Sequence, residues 1–328
     1  MNLTVPDRPF AVRPTTWIEP ERLRAALGLR ITLVSETFQR TGSFKFRAAF
    51  HRARTSSARH LIAASSGNFG QALALACRLL RKQATIVMPT ISARVKIEAV
   101  RGHGAAVELT DVEKESREEG VDRILASFPE AEVASAYADP AVIAGNATLG
   151  VEIAARLSRF SPARRRKAVV VVPIGGGGIS SGILTGLRSA GLPEVPVVGA
   201  EPLLANDAAE SLRRGALVSH AGEALSLADG ARLPRLGENN WTILSEGIRH
   251  IVEVPEAAIA GAVRALFAQA NLKAEPTGAL GIGALLTSPE RFEDREVFVV
   301  ITGGNVDPAV YSRILAGANS VAEAYGAA

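Results

Sequence analysis

Short apolar runs rich in β-branched residues alternate along this chain with longer stretches whose apolar positions recur at helical spacing. Ile31–Ser35, Leu61–Ala64, Ala84–Met88, Ala105–Leu109, Ala168–Ile174, Val195–Ala200, His250–Val254 and Val297–Ile301 read as strands. Glu19–Leu27 reads as a helix stopped by Gly28. Ser92–Arg101, Val112–Ser127, Ala141–Leu157, Glu256–Ala270 and Thr277–Leu286 read as further helices, and another follows Ser65–Gly70 and runs through Leu80. The run from Ala168 to Ile174 is apolar at successive positions, as in a strand covered on both faces. The alternation predicts an α/β fold with open, mostly parallel sheets and helices on both faces.

Several strands end in residues suited to chemistry. Ala168–Ile174 runs straight into Gly175, Gly176, Gly177 and Gly178, followed by Ile179 and a helix start. Backbone amides there approach an anion closely and the helix's positive end favours it, so the loop reads as a phosphate cradle. No Gly-Lys-Ser/Thr follows, which excludes a P-loop, and Ser180 or Ser181 stands where the dinucleotide fingerprint needs its last glycine. Ser65-Ser66-Gly67-Asn68 also joins a strand to a helix; it suits a carboxylate, or serves equally as a plain N-cap. Thr302-Gly303-Gly304-Asn305 puts a hydroxyl at a strand's carboxyl end, where ligands of open α/β sheets bind, and a threonine before a turn is the equal alternative. Lys45 follows Gly42-Ser43-Phe44 at the start of an Ala-rich helix. Held against apolar groups, such an amine loses its proton easily enough to form a Schiff base; in water it is an ordinary surface lysine.

Composition narrows the partners. The 328 residues carry 37 basic and 33 acidic side chains, a net charge of +4. The dense basic run Arg164–Lys167 precedes an apolar strand and reads as a solvated turn; with aromatics at 5% and none interleaved there, nucleic acid is not expected. One cysteine, Cys77, excludes an internal disulfide and fits a reducing compartment. The opening residues lack the apolar stretch of a signal peptide and no run is long enough to span a membrane, so a cytoplasmic protein is expected.

Taken together and in order, these segments resemble the pyridoxal-phosphate enzymes of the threonine/serine dehydratase and serine racemase family, fold type II, related to the tryptophan synthase β chain. The resemblance rests on Gly42–Lys45, Ser65–Asn68, Ala84–Pro89, Val142–Asn146, Gly175–Gly178, Leu227–Gly230, Glu275–Gly278 and Thr302–Asn305. It implies a large domain of residues 1–55 and 139–328, a small mobile domain of 56–138, and a homodimer. Lys45 would hold the aldehyde of pyridoxal 5'-phosphate and act as base at the substrate α-carbon. Phe44 would back the ring, Asn68 would hydrogen-bond its phenolic oxygen, and Thr302 would face its nitrogen. Gly175 to Gly178 and the Ile179 amide would bind the phosphate. Ser65, Ser66 and Gly67 would hold the carboxylate of the small amino-acid substrate.

The same resemblance carries finer expectations. Glu201, the Ala205 carbonyl and Asp207 would form a divalent-cation site, for Mg2+ or a similar ion. Ser66 stands where racemases of the family have a second proton-exchanging group, so racemisation is the alternative to elimination. Phe69 replaces a common histidine and makes the site more apolar, which favours a larger or less polar substrate. No regulatory domain is expected after Thr302. The implied reaction is β-elimination from a β-hydroxy amino acid such as L-threonine or L-serine, giving a 2-oxo acid and ammonia. A β-replacement synthase is a poorer match, because its phosphate loop is usually Gly-Thr-Gly-Gly-Thr.

Overall fold

The computed structural model describes residues 3–65, 67–90, 92, 94–111 and 114–326. The first half forms β1 (Thr16–Ile18), α1 (Glu21–Leu27), β2 (Arg30–Ser35), α2 (Lys45–Thr55), β3 (His60–Ala64), α3 (Asn68–Leu79), β4 (Gln83–Pro89), α4 (Arg94–Gly102), β5 (Ala106–Thr110), α5 (Arg117–Ser127), β6 (Glu132–Val133) and α6 (Pro140–Leu157). Then come α7 (Pro162–Arg165), β7 (Ala168–Pro173), α8 (Gly178–Ser189), β8 (Val197–Pro202), α9 (Asp207–Arg214), α10 (Glu238–Gly247) and β9 (Ile248–Val254). The chain closes with α11 (Glu256–Ala270), α12 (Pro276–Thr287), β10 (Glu296–Ile301), α13 (Pro308–Leu315) and α14 (Val321–Tyr325).

Two sheets result. One has the order β1-β2-β10-β7-β8-β9 and the other β5-β4-β3-β6. Strand β1 pairs antiparallel with β2, while the other pairings among the described residues are parallel. The strands of the four-stranded sheet all lie within the segment expected as the small domain. Alternate residues of each central strand serve different cores. Val169 and Val171 pack with helices α11 and α12, whereas Val170 and Val172 pack with α6 and α8. In the second sheet Leu61 and Ala63 face α2 and α3, and Ile62 faces Val121 and Ile124 of α5. That double burial is why the strands read as unbroken apolar runs.

One helix starts later than its charge pattern predicts. The expected helix Val112–Ser127 begins at Arg117, because Ser116 and Glu119 form a reciprocal capping box; Val112 and Glu113 lie outside the described residues. Helices α6 and α8 approach closely, since a Cβ on Gly150 would lie 2.5 Å from the Ile183 carbonyl. The pair brings Asn146 against the start of α8. No helix among the described residues is long and apolar enough to cross a membrane.

Helix α2 is tied down by a buried ion network. The Arg47 guanidinium donates to both carboxylate oxygens of Glu36 at 2.7 and 2.8 Å, to Glu152 at 2.8 Å, and to the hydroxyls of Thr15 and Thr148 at 2.8 and 3.0 Å. Arg47 and Glu36 are each 1% exposed. Removing one partner of such a pair strands a charge in the core. Glu36→Gln is therefore expected to lower stability by about 3–5 kcal/mol in denaturant unfolding.

Candidate active site

Strands β2, β10, β7 and β8 run parallel, so their carboxyl ends open on one edge of the sheet, where such folds take ligands. Thr302 follows β10 there and is 2% exposed. Its carbonyl accepts the Phe44 N–H at 2.9 Å, and Ser43 bridges Gly303. The first turn of α2 is thereby stitched to the end of β10, and Lys45 is its first residue. The half-buried Lys45 amine donates to the Ala136 carbonyl at 2.9 Å. It lies 5.1 Å from the Phe44 ring centre and 5.8 Å from that of Phe69. Burial pushes its pKa down to about 8, with Glu275 pulling the other way.

The glycine loop is shaped from behind. Gly177, at φ +87°, caps the start of α8, where a side chain would be strained. Buried Asn240 donates to the carbonyls of Gly176 and, at 3.1 Å, of Tyr137. Buried Asn146 donates to the Gly178 carbonyl at 3.1 Å. With these carbonyls held away, the first N–H groups of α8 are presented at the helix's positive end. The Tyr137 ring lies so close to Gly176 that any Cβ there would overlap it. The loop therefore requires glycine for close packing as well as for anion approach.

Across the cleft, α3 begins with Asn68. Its NH2 group donates to both oxygens of Glu275, at 2.9 and 3.1 Å, and its carbonyl accepts from Asn305 at 2.7 Å. The N-cap position of α3 is Gly67, and the Ser65 hydroxyl, two residues earlier, accepts the Gly70 N–H of the first turn at 2.9 Å. The position a Cβ would take on Gly67 is open, with nothing within 4 Å. Ser66 lies outside the described residues.

Glu201 and Asp207, at the end of β8 and the start of α9, are both buried. Glu201 accepts the N–H groups of Ala208 and Ala209 at 3.0 and 2.9 Å, and one Asp207 carboxyl oxygen lacks a partner among the described residues. Burial and the mutual charge raise Glu201 well above the usual carboxylate range, and burial raises Asp207 to about 7. The unpartnered oxygen suits a hard cation, yet no group of three or more acidic, histidine or cysteine side chains among the described residues is arranged to hold a metal.

Four residues at this site carried no assigned role in the sequence. Glu275 is 5% exposed, and burial followed by the Asp229 charge raises it to about 8. Lys96 of α4 reaches across to Asp229 at 3.0 Å. Tyr137 and Asn240 bracket the glycine loop. Glu275 lies in a motif that carried the resemblance without a role of its own, and Lys96, Tyr137 and Asn240 lie outside those motifs.

A family model for pyridoxal-phosphate dependent enzymes matches residues 9–303, a span that takes in Lys45, the glycine loop and Thr302. The chain belongs to this family. It is 36% identical to the L-threo-3-hydroxyaspartate ammonia-lyase of Pseudomonas sp over 299 residues, covering 90% of this chain and 91% of that protein. It is 32% identical to the serine racemase of Bos taurus, covering 87% and 85% of the two chains. The crystal structure of the T.th. threonine deaminase superposes with a TM-score of 0.83 at 34% identity, covering 90% of this chain and 94% of that one. As an enzyme, the chain stands with the pyridoxal-phosphate-dependent ammonia-lyases.

The residues present fit the cofactor: an amine of lowered pKa, a helix start cleared for an anion, and a hydroxyl at the neighbouring strand end. Two groups near pH 8 give the cofactor-free protein opposing pH dependences. Glu275 binds its proton more tightly folded than unfolded, so its contribution to stability falls as pH rises from about 4.3 to about 8. Lys45 binds its proton less tightly when folded, so its contribution rises with pH from about 8 to about 10.4. Glu275→Gln is expected to raise the thermal midpoint of the cofactor-free protein more at pH 8 than at pH 5, and Lys45→Met to flatten the rise above pH 8.

Proposed function

We propose that this enzyme removes water from a β-hydroxy amino acid and releases a 2-oxo acid and ammonia, with L-threo-3-hydroxyaspartate ranked ahead of L-threonine and L-serine. The observation that carries the reaction is the Lys45 amine. It is half-buried, lowered to about 8, and held at the sheet edge between two phenyl rings. An amine so placed serves both as covalent anchor and as base near neutral pH. Bound pyridoxal phosphate supplies an electron sink for the α-carbon.

This chain's residues then divide the work. Lys45 takes the proton from the α-carbon. Gly175 to Gly178 and the Ile179 amide bind the phosphate, Phe44 backs the ring, and Thr302 faces the ring nitrogen. Asn68 meets the phenolic oxygen, and Ser65, Ser66 and Gly67 hold the substrate carboxylate through hydroxyl or backbone groups. The Ser65 hydroxyl already accepts from Gly70, which favours a backbone contribution from that residue. Residues 56–138 act as a mobile domain that closes over the cleft and excludes water.

The ranking of substrates rests on the similarity to the hydroxyaspartate ammonia-lyase. It sets aside the less polar substrate that Phe69 favours. Glu201, the Ala205 carbonyl and Asp207 are proposed to bind a divalent cation such as Mg2+, supported by the unpartnered Asp207 oxygen. A cytoplasmic homodimer completes the reading.

A β-hydroxy amino acid panel with oxo-acid and D-amino-acid detection tests the reaction. Hydroxyaspartate should give the highest kcat/KM, and Lys45→Ala should lose roughly 10²–10⁴-fold in rate. D-product from L-serine exceeding oxo acid would favour racemisation instead, in which case Ser66→Ala should abolish only the D-product. EDTA should lower the thermal midpoint and Mg2+ restore it; indifference to both counts against the cation.

A further inference from the structure

The hydrogen bonds between Thr41 and Glu275 run in one direction. A backbone carbonyl can only accept, so Asn305 must turn its NH2 group to the Thr41 carbonyl, 2.6 Å away. The same nitrogen lies 2.7 Å from Asn68 Oδ1, which claims the carbonyl end of that amide. Asn68 is then left with its NH2 group toward Glu275, at 2.9 and 3.1 Å. Each amide orientation is dictated by the previous one, back to an acceptor that cannot change its nature. A protonated Glu275 still offers an accepting oxygen, so the order survives its titration. Asp229, Lys96 and Lys45, the charged neighbours of Glu275, act on its charge, and among the described residues none of them hydrogen-bonds the Thr41 carbonyl or Asn305.

The backbone is cut to admit this relay. Thr41 and Gly42 both take positive φ, 58° and 72°, which aims the Thr41 carbonyl at Asn305. A Cβ on Gly42 would overlap the Asn305 amide, and one on Gly303 would stand 2.5 Å from Glu275 Oε1. Two motif glycines thus make way for the two residues that grip Asn68.

We propose that Asn305 and Glu275 are positioning residues that fix the polarity of the Asn68 amide, so that Asn68 offers its remaining N–H, a donor, to the ring oxygen of the cofactor. An amide free to turn would present its carbonyl part of the time, and two acceptors facing each other repel. The proposal rests on the assignment of Asn68 to that oxygen and is independent of which amino acid is the substrate.

The test uses the holoprotein without substrate, reading its absorption spectrum across pH, and the cofactor-free protein, reading its affinity for pyridoxal phosphate. Asn305→Asp puts an acceptor where the relay has its donor. The visible band should lose intensity to the near-ultraviolet band, and the cofactor should bind roughly tenfold more weakly, the loss of one hydrogen bond to a charged oxygen. Asn68→Ala should give the same shift, and the double variant should add little to either, since both changes remove one interaction. Glu275→Gln, which keeps an accepting oxygen in place, should cost no more than about threefold. Should Asn305→Asp fail to fold, Asn305→Ala must shift the band in the same direction. A shift with Asn68→Ala but not with either Asn305 variant overturns the relay. An unchanged band and affinity in Asn68→Ala overturns the assignment of Asn68, and the relay with it.

Discussion

Two residues beyond Lys45, a guanidinium with no access to water is surrounded by acceptors. Arg47 pairs with both oxygens of Glu36 at the end of β2, and with Glu152 and Thr148 on α6. A buried arginine is tolerable only when its donors are met, so the network admits one placement of α2 relative to β2 and α6. That placement decides where Lys45 points. Because α6 also carries Asn146 behind the glycine loop, the same ion network sets the lysine and the anion cradle in one frame.

The site is built between two sheets, and its polar links cross from one to the other. Asn68 of α3 is gripped by Glu275 and Asn305, while Lys96 of α4 reaches Asp229. These few hydrogen bonds and one ion pair join elements whose apolar side chains pack into separate cores on either side. The buried groups there are of opposite charge, and burial moves each toward its neutral form: Lys45 downward and Glu275 upward.

Much of the site was legible along the chain because each part sits where a strand meets a helix or turn. The tetraglycine loop, Lys45 behind Phe44, and Thr302 beside two glycines are short-range signals, and the structure puts all three at one sheet edge. Other readings depended on what the side chain touches. Ser65 suited a carboxylate or a cap equally well, and the fold shows its hydroxyl accepting from Gly70 in the first turn of α3. Glu275 had no assigned role in the sequence, yet it is enclosed against Gly303 and bonded to a residue more than two hundred positions earlier. Glu201 was expected as a cation ligand, and the fold adds a contact the sequence did not reveal: each of its oxygens accepts an N–H from the start of α9.

Taken alone, the sequence determined the α/β class, the parallel strands and the placing of chemistry at their ends, because hydrophobic period and glycine position are properties of neighbouring residues. Tertiary structure alone decided which polar groups meet: Arg47 with Glu36, and Asn68 with Glu275 and Asn305. Hydrogen bonds are directional and short, so a partner far along the chain becomes defined only when the sheets and helices fix its position to within a fraction of an ångström.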